Sequence, residues 1–545
     1  VQENLLKDWR QIQAAAGRTE WHSVPQGGID VRLRQIVVPE LGVTDRCVSC
    51  HVAMAPGEEI AGWDGVPLRP TVPAVLAPHP PIPHDPAEFG CTVCHGGQGR
   101  ATEEADAHGY VHHWPEPLIP MRYATAGCGT CHTHLRVPDL ARLGEGRMLV
   151  ERYDCLACHR IEGRGGTIRP GGAGGMEGPD LSQVGSAGID PGWYESHLAQ
   201  WQASEEGPWA AAFGPVEPQD RDAIERFLQS LVGAPELVRA KALFHSVGCR
   251  GCHKVRGIGG DDGPDLTLIG ERNPHQLDFT HVEGEHTLAN WLSAHTRNPA
   301  KIVPGSKMPA MGLSDQRIDR LTLYMLSLRS TDFPEAYWPQ DRVRAERFGE
   351  REFSTDGATL YGTFCAACHG PSGEGLRYPD TVPFPAVANP DFLAVADDEL
   401  IAEMIRRGRP GRRMPAWDEA EGGLRSREIA RLVTHLRTLA GVAEPDVEPR
   451  GHRWVEADPQ RGAALFATHC AGCHGADGKS EEAPALNNRV LLDAAGDTYL
   501  VETIARGRRG TRMPGFRAGS PAHPALAPED IEAVVVFIRT WETTK

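Results

Sequence analysis

The 545-residue chain lacks any long apolar run: its most apolar stretches, such as 533–538, fall far short of the roughly 20 residues that a bilayer-spanning helix needs. Membrane association therefore has to come through a partner, a lipid or a segment outside this sequence. Positive charge is scarce as well. Against 73 Asp and Glu stand 56 Lys and Arg, a formal charge of −17, which makes nucleic acid a poor partner and favours solubility or a basic docking surface. A recognisable leader is missing too, since the chain begins Val1-Gln2. A removed leader is the simplest expectation, and a lost amino-terminal anchor leaves the same pattern. Finally, no cysteine is left over from a single repeated pattern.

That pattern is Cys-x-x-Cys-His, and it absorbs all 14 cysteines: Cys47/Cys50/His51, Cys91/Cys94/His95, Cys128/Cys131/His132, Cys155/Cys158/His159, Cys249/Cys252/His253, Cys365/Cys368/His369 and Cys470/Cys473/His474. We number them motifs one to seven. Structural zinc would need two cysteine pairs per metal and leaves the invariant histidine unexplained, and a disulfide framework explains neither spacing nor histidine. Two thioethers to a porphyrin edge, with the adjacent histidine turned back onto iron, account for both. The expected cofactors are seven covalently bound haem c groups, attached outside the cytoplasm in a periplasmic or other extracytoplasmic setting.

Motif spacing implies a mainly α-helical chain with extensive irregular haem-wrapping loops, a multihaem head and tandem modules behind it. The expected divisions are a triple-haem head over 1–139, a divergent single-haem module over 140–234, and single-haem modules over 235–335, 336–445 and 446–545. Cys47 to Cys155 packs four attachment sites into a short stretch, so haem itself should supply much of the interior there. In module seven, Asp458 to His469 reads as a helix approaching the motif, with Leu465 and Phe466 available to face porphyrin. Pro528 to Trp541 reads as a terminal amphipathic helix with Pro and acid in its first turn. Module six repeats the plan with Tyr361 and a Ser426–Leu439 helix, module five with Phe244 and a helix over 314–328. Module four has an approach segment near 143–153, a Gly-rich loop over 163–178 and a terminal helix near 220–231. Gly-Pro-Asp-Leu occurs after motif four (178–181) and motif five (263–266), so Pro179 and Pro264 are expected to turn the chain or orient the proximal histidines, and Pro484 to do the same in module seven. Residues 331–350 and 441–454 read as linkers. The Pro-rich 66–86 reads as haem wrapping, and Asp261, Asp262 and Asp265 as an acidic loop rather than a calcium site.

The sixth ligands divide the modules. Met-Pro after each of the last three motifs pairs His253 with Met308, His369 with Met414 and His474 with Met513; Met311 is the nearby substitute for Met308. A methionine ligand raises the potential relative to a second imidazole. Module four has no Met-Pro, and Gly207-Pro208-Trp209 stands where it would be. Met176, His197 or a head histidine are its candidates, and an open iron is the alternative. The head has His79, His84, His108, His112, His113 and His134, so two imidazoles per iron are expected there. His84, His108 and His113 are the leading distal candidates, with His112 interchangeable with His113. Met54 and Met121 are the thioether alternatives, and a surface or propionate-binding role is the plain alternative for each histidine.

The helical approach, Cys-x-x-Cys-His, later Met-Pro and final helix of the last three modules resemble class I cytochrome c domains, and module four resembles a divergent one. The head segments Arg46-Cys47-Val48-Ser49-Cys50-His51, Phe89-Gly90-Cys91 through Gln98-Gly99, and Asp106-Ala107-His108-Gly109 resemble multihaem cytochromes associated with bacterial membrane quinol-oxidising cytochrome b complexes. That resemblance implies a membrane cytochrome b-type or other quinol-oxidising partner as donor and a soluble or membrane-bound cytochrome as acceptor, with electrons passing from the bis-His head to the His/Met tail. The competing readings are a catalytic iron at motif four, for which no acid, base or substrate clamp is recognisable, and a haem-bearing scaffold. The latter draws on Leu5, Trp9, Ile12 and Trp21, which would dock a partner or cover the head.

Overall fold

The computed structural model describes residues 7–16, 30–55, 79, 82, 84–135, 140–166, 178–186, 189, 192–197, 216–330, 332–379, 381–448, 450–520 and 523–543. The chain forms two compact units. One comprises Val1–Ala242, Leu268–Thr296 and Leu313–Glu352; the other Leu243–Thr267, Arg297–Gly312 and Phe353–Lys545. Both are helical, with strands confined to two-stranded hairpins among the described residues.

In the first unit the head is built from short turns. A hairpin pairs Ile36–Val38 with Val43–Asp45, its bend made at Gly42, whose φ of +65° suits a residue without Cβ. The amino-terminal helix Asp8–Ala16 starts on an acid that complements the helix dipole. Gln13 is fully buried: its Nε2 donates to the carbonyls of Ser49 (2.6 Å) and Arg32 (2.9 Å), and its Oε1 accepts from the Arg32 amide. Trp9 is buried with it. The helix thus covers motif one, which decides for Trp9 between the two roles considered for this segment; Leu5 and Trp21 lie outside the described residues. So do Met176, Trp209 and most of 66–86 and 163–178.

The approach and terminal helices expected around motifs four to seven are present. Module four joins helices Leu140–Arg152 and Pro218–Gln229. Module five runs from Pro235–Val247 to Asp315–Leu326, the latter preceded by Ser314 at its N-cap position. Module six has Gly357–Phe364 and Ser426–Ala440, module seven Pro459–His469 and Pro528–Arg539. Asp458 caps its helix by accepting from the Gln460 amide, with Pro459 pre-set in the first turn. In modules four, six and seven, a glycine of the approach helix lies against the terminal helix. A Cβ at Gly146, Gly357 or Gly462 would run into the backbone of Ala223, Arg431 or Ala533 respectively. These helix pairs cross closely because that atom is missing.

Two linker expectations are corrected. Residues 340–348 form a helix whose Arg342 and Ala345 are buried, with the Arg342 guanidinium 3.8 Å over the Trp338 ring. Residues 441–454 are laid down by hydrogen bonds, Asp446 N to Ala394 O and the Arg453 guanidinium to Leu492 and Ala495 carbonyls. Both segments carry side chains that find buried partners, so proline and charge content misread them as free. In the second unit, modules six and seven share one apolar core running from Leu360, Leu400 and Trp417 to Phe466, Leu500 and Val534. Their join is reciprocal: Asn389 Nδ2 donates to Arg509 O (2.9 Å) and Asn488 Nδ2 to Pro410 O (3.1 Å).

Candidate haem-binding sites

All seven Cys-x-x-Cys-His units make the same turn. In each, the histidine amide donates to the carbonyl of the first cysteine, at 2.9 to 3.1 Å, from His51 to Cys47 through to His474 to Cys470. None of the cysteines is bridged. One helical turn sets both thiols and the imidazole on one side of the backbone, the placement needed to grip a porphyrin edge and its iron together.

One of the expected attachment cysteines, Cys473, departs from the even enclosure that equivalent sites would share. Cys473 is exposed, whereas the remaining cysteines are half-buried. Cys158 is half-buried, and its carbonyl accepts from the Gly178 amide at 3.1 Å, as that of Cys252 accepts from Gly263 at 2.8 Å.

The proximal imidazoles of the four modules are clamped alike. Nδ1 faces a proline carbonyl in every one: His159 and Pro179 (2.9 Å), His253 and Pro264 (2.8 Å), His369 and Pro385 (2.8 Å), His474 and Pro484 (3.1 Å). A carbonyl accepts only, so Nδ1 carries the proton and Nε2 keeps its lone pair for iron. Burial pushes His253, His369 and His474 below the usual imidazole range, holding them in the neutral, ligating form. In Gly-Pro-Asp-Leu the glycine has its own purpose: a Cβ at Gly178 or Gly263 would collide with the imidazole of His159 or His253. Pro385 went unnoticed in the sequence, although Pro385-Ala386-Val387 matches Pro484-Ala485-Leu486.

The Met loops are equally regular. Arg409 N donates to Met414 O (2.8 Å) and Arg508 N to Met513 O (2.9 Å), and both methionines pack against the shared core. Met308 N is within 3.3 Å of Ser306 Oγ, as Met513 N is within 3.1 Å of Thr511 Oγ1. At the corresponding arginines, Arg409 Nε and Arg508 Nη1 are buried with no partner among the described residues, and so is Arg160 Nε beside motif four. Buried cationic nitrogens lacking an acceptor fit a bound anion such as a haem propionate. The residues present therefore suit covalently attached haem, which supplies the one-electron chemistry when bound.

In the head the motifs crowd together. The side chains of Cys47 and Cys91 lie beside one another. Asp45, buried next to motif one, accepts from the amides of Cys91 (2.5 Å) and Thr92 (2.8 Å) and so caps the turn of motif two. Gly127, ahead of motif three, sits so close on Cys94 that a Cβ would strike its backbone. Motifs five and six meet in the same way in the second unit. The Cys252 and Cys368 side chains lie beside one another, Gly248 packs on Ala367, and Arg413 spans to Asp262 through Nε (2.8 Å) and Nη2 (2.5 Å). That pairing gives Asp262 a partner in module six.

Three histidines face proximal ones. Ring centroids lie 5.9 Å apart for His79 and His95, 6.1 Å for His84 and His132, and 6.3 Å for His197 and His159. Of the other expected head ligands, His108 packs against Tyr110, and His113 against His112, which also stacks on His275. Among the described residues none of these rings is paired with a proximal histidine. The sequence offered no way to choose His79 over His108, because the choice depends on where a loop folds back.

Residues 237–329 and 459–542 match the family model "Cytochrome c", and residues 354–436 match "Cytochrome C oxidase, cbb3-type, subunit III". The carboxy-terminal region is a set of class I cytochrome c domains. Curated relatives of these cytochrome c domains include the cbb3-type cytochrome c oxidase subunit FixP of Bradyrhizobium sp. (strain ORS 278), 30% identical over 34% of this chain and 59% of the relative. Another is the CcoP subunit of Cereibacter sphaeroides, 29% identical over 33% of this chain and 59% of the relative. The chain spans about three-fifths of the length of these relatives. Among solved structures, the Kuenenia stuttgartiensis reducing HAO-like protein complex Kustc0457/Kustc0458 matches 34% of this chain and 94% of its own at 18% identity and a TM-score of 0.22. Thiosulfate dehydrogenase (TsdBA) from Marichromatium purpuratum matches 73% and 90% at 19% identity and a TM-score of 0.18. The chain carries cytochrome c domains in tandem over its carboxy-terminal part, the haem-binding domains of electron transfer. Among its described residues no helix is long and apolar enough to cross a membrane.

Proposed function

We propose that this chain carries seven haems c, one per motif, in the five segments described above, and conducts electrons outside the cytoplasm. They would enter from a membrane quinol-oxidising subunit, pass through bis-His haems of the head, and leave through the His/Met haems of modules five to seven to a cytochrome acceptor. The observation that carries this reading is the direct contact between successive attachment motifs, one to two to three in the head and five to six in the second unit. Thioether-bearing edges that touch give electrons a short path, and a catalyst working at one iron would not need it. The direction rests on ligand chemistry: imidazole pairs hold lower potentials than imidazole–thioether pairs. Association with the membrane would come through that partner or an anchor.

The test is spectroelectrochemistry of the purified holoprotein combined with a pyridine haemochrome count. Seven haems per chain, with the imidazole–thioether set titrating above the bis-imidazole set, are expected. All His/Met haems lying below all bis-His haems would reverse the route. Haems that fail to re-equilibrate after partial photoreduction would favour the scaffold reading.

A further inference from the structure

We propose that His79, His84 and His197 are the sixth iron ligands at motifs two, three and four respectively. The inference rests on the reading that each of these motifs holds a haem. A metal–imidazole nitrogen bond is about 2 Å and the ring centroid sits roughly 1 Å further back, so two imidazoles on opposite sides of one metal have centroids about 6 Å apart. The three pairs lie at 5.9, 6.1 and 6.3 Å. Ordinary aromatic contacts also reach that separation, but the membership of the pairs separates the two explanations. In each, one ring belongs to the histidine of a Cys-x-x-Cys-His turn and the other is a histidine from a different loop or helix. The His–His contacts that involve no motif are closer, 5.5 Å for His112 and His113 and 4.9 Å, at 5° between planes, for His112 and His275. Rings that close together leave no room for a metal between them.

Two of the three distal imidazoles are also held from the side. Trp193, one helical turn before His197 in the 192–197 helix, stacks on it at 4.7 Å and 8°. Phe89 lies 4.8 Å from His84 and is itself packed against Tyr337 at 5.6 Å. A ligand presented by a supported ring is oriented before iron arrives, as metal-binding histidines require. In module four the helix carrying His197 supplies an imidazole in a module that has no Met-Pro. Its iron is then six-coordinate and of the low-potential kind, and the step from low to high potential falls between modules four and five.

The test uses the oxidised full-length holoprotein and reads ligation directly by low-temperature EPR and near-infrared magnetic circular dichroism. His79→Ala, His84→Ala and His197→Ala are each expected to convert one haem equivalent from low-spin bis-imidazole to high-spin, with added imidazole restoring it and total haem unchanged. His197→Met covers the case in which an alanine variant loses its haem: it should move one equivalent from the bis-imidazole to the imidazole–thioether class and raise one redox step. An unchanged bis-imidazole count in a variant overturns that residue's assignment. An unchanged count together with high-spin iron at motif four in the parent protein would instead establish an open site there. Failure of electron exchange among the haems would sink the conduction reading and leave these spectra untouched, so the two failures are distinguishable.

Discussion

Gly263 leaves the space that the His253 imidazole fills, and Gly178 does the same for His159. Neither has a positive φ, so steric room is the whole demand. Gly263→Ala is expected to force the ring off its Pro264 carbonyl and to cost about 1–3 kcal/mol, the range for overpacking a tight site, measured by denaturant unfolding followed at the Soret band. The haem five redox step should shift in the same variant. A second single-residue case is Lys241, which is buried and donates to Glu352 (2.7 Å) and the Leu135 carbonyl (2.8 Å). Lys241→Met removes a buried cation hydrogen-bonded to a buried carboxylate and should lower stability by about 3–5 kcal/mol. The double variant with Glu352→Gln should recover a large part of that loss, and no recovery would mean that the lysine acts through packing alone.

At the scale of elements, modules six and seven repeat one clamp that no sequence pattern announced. Arg437 on the terminal helix of module six binds Asp398 and the carbonyls of Leu393 and Ala396. Arg539 on that of module seven binds Asp497 and the carbonyls of Leu492 and Ala495. The two differ in burial: the Asp398 side chain is 71% exposed, that of Asp497 only 3%. Asp497 also accepts from the amides of Trp454 and Val455, so an amide nitrogen in its place would face donors. Asp497→Asn should therefore cost roughly 3 kcal/mol or more, and Asp398→Asn under about 1 kcal/mol. Equal costs in chemical denaturation would show that exposure does not govern the clamp. The approach helices were legible from capping and periodicity. The clamp was not, because its carbonyl acceptors come from segments about 40 residues away in sequence.

Across the whole molecule, potential should respond to the charges at haem junctions. Arg413 and Asp262 face one another between motifs five and six, both sparingly exposed. Arg413→Gln removes a positive charge and stabilises oxidised iron, lowering the potentials of the adjoining haems; Asp262→Asn should raise them. An electrostatic change of 1.4 kcal/mol corresponds to about 59 mV for one electron, so shifts of roughly tens of millivolts in opposite directions are expected by redox titration. Shifts of the same sign would mean that the pair acts by holding the motifs in register instead.

The sequence alone determined the attachment chemistry, the helical module plan and the Met-Pro ligand candidates, since all three are local patterns: a five-residue turn, a 3.6-residue period and a short loop. Pro179, Pro264 and Pro484 were legible beside their histidines for the same reason. Only the tertiary structure decided which head histidine faces which motif, which motifs touch, that Cys473 lies exposed where its counterparts are half-buried, and that residues 340–348 pack as a helix. Each of those depends on chain segments meeting across long separations, where a histidine's identity says it can bind a metal but only its position says which one.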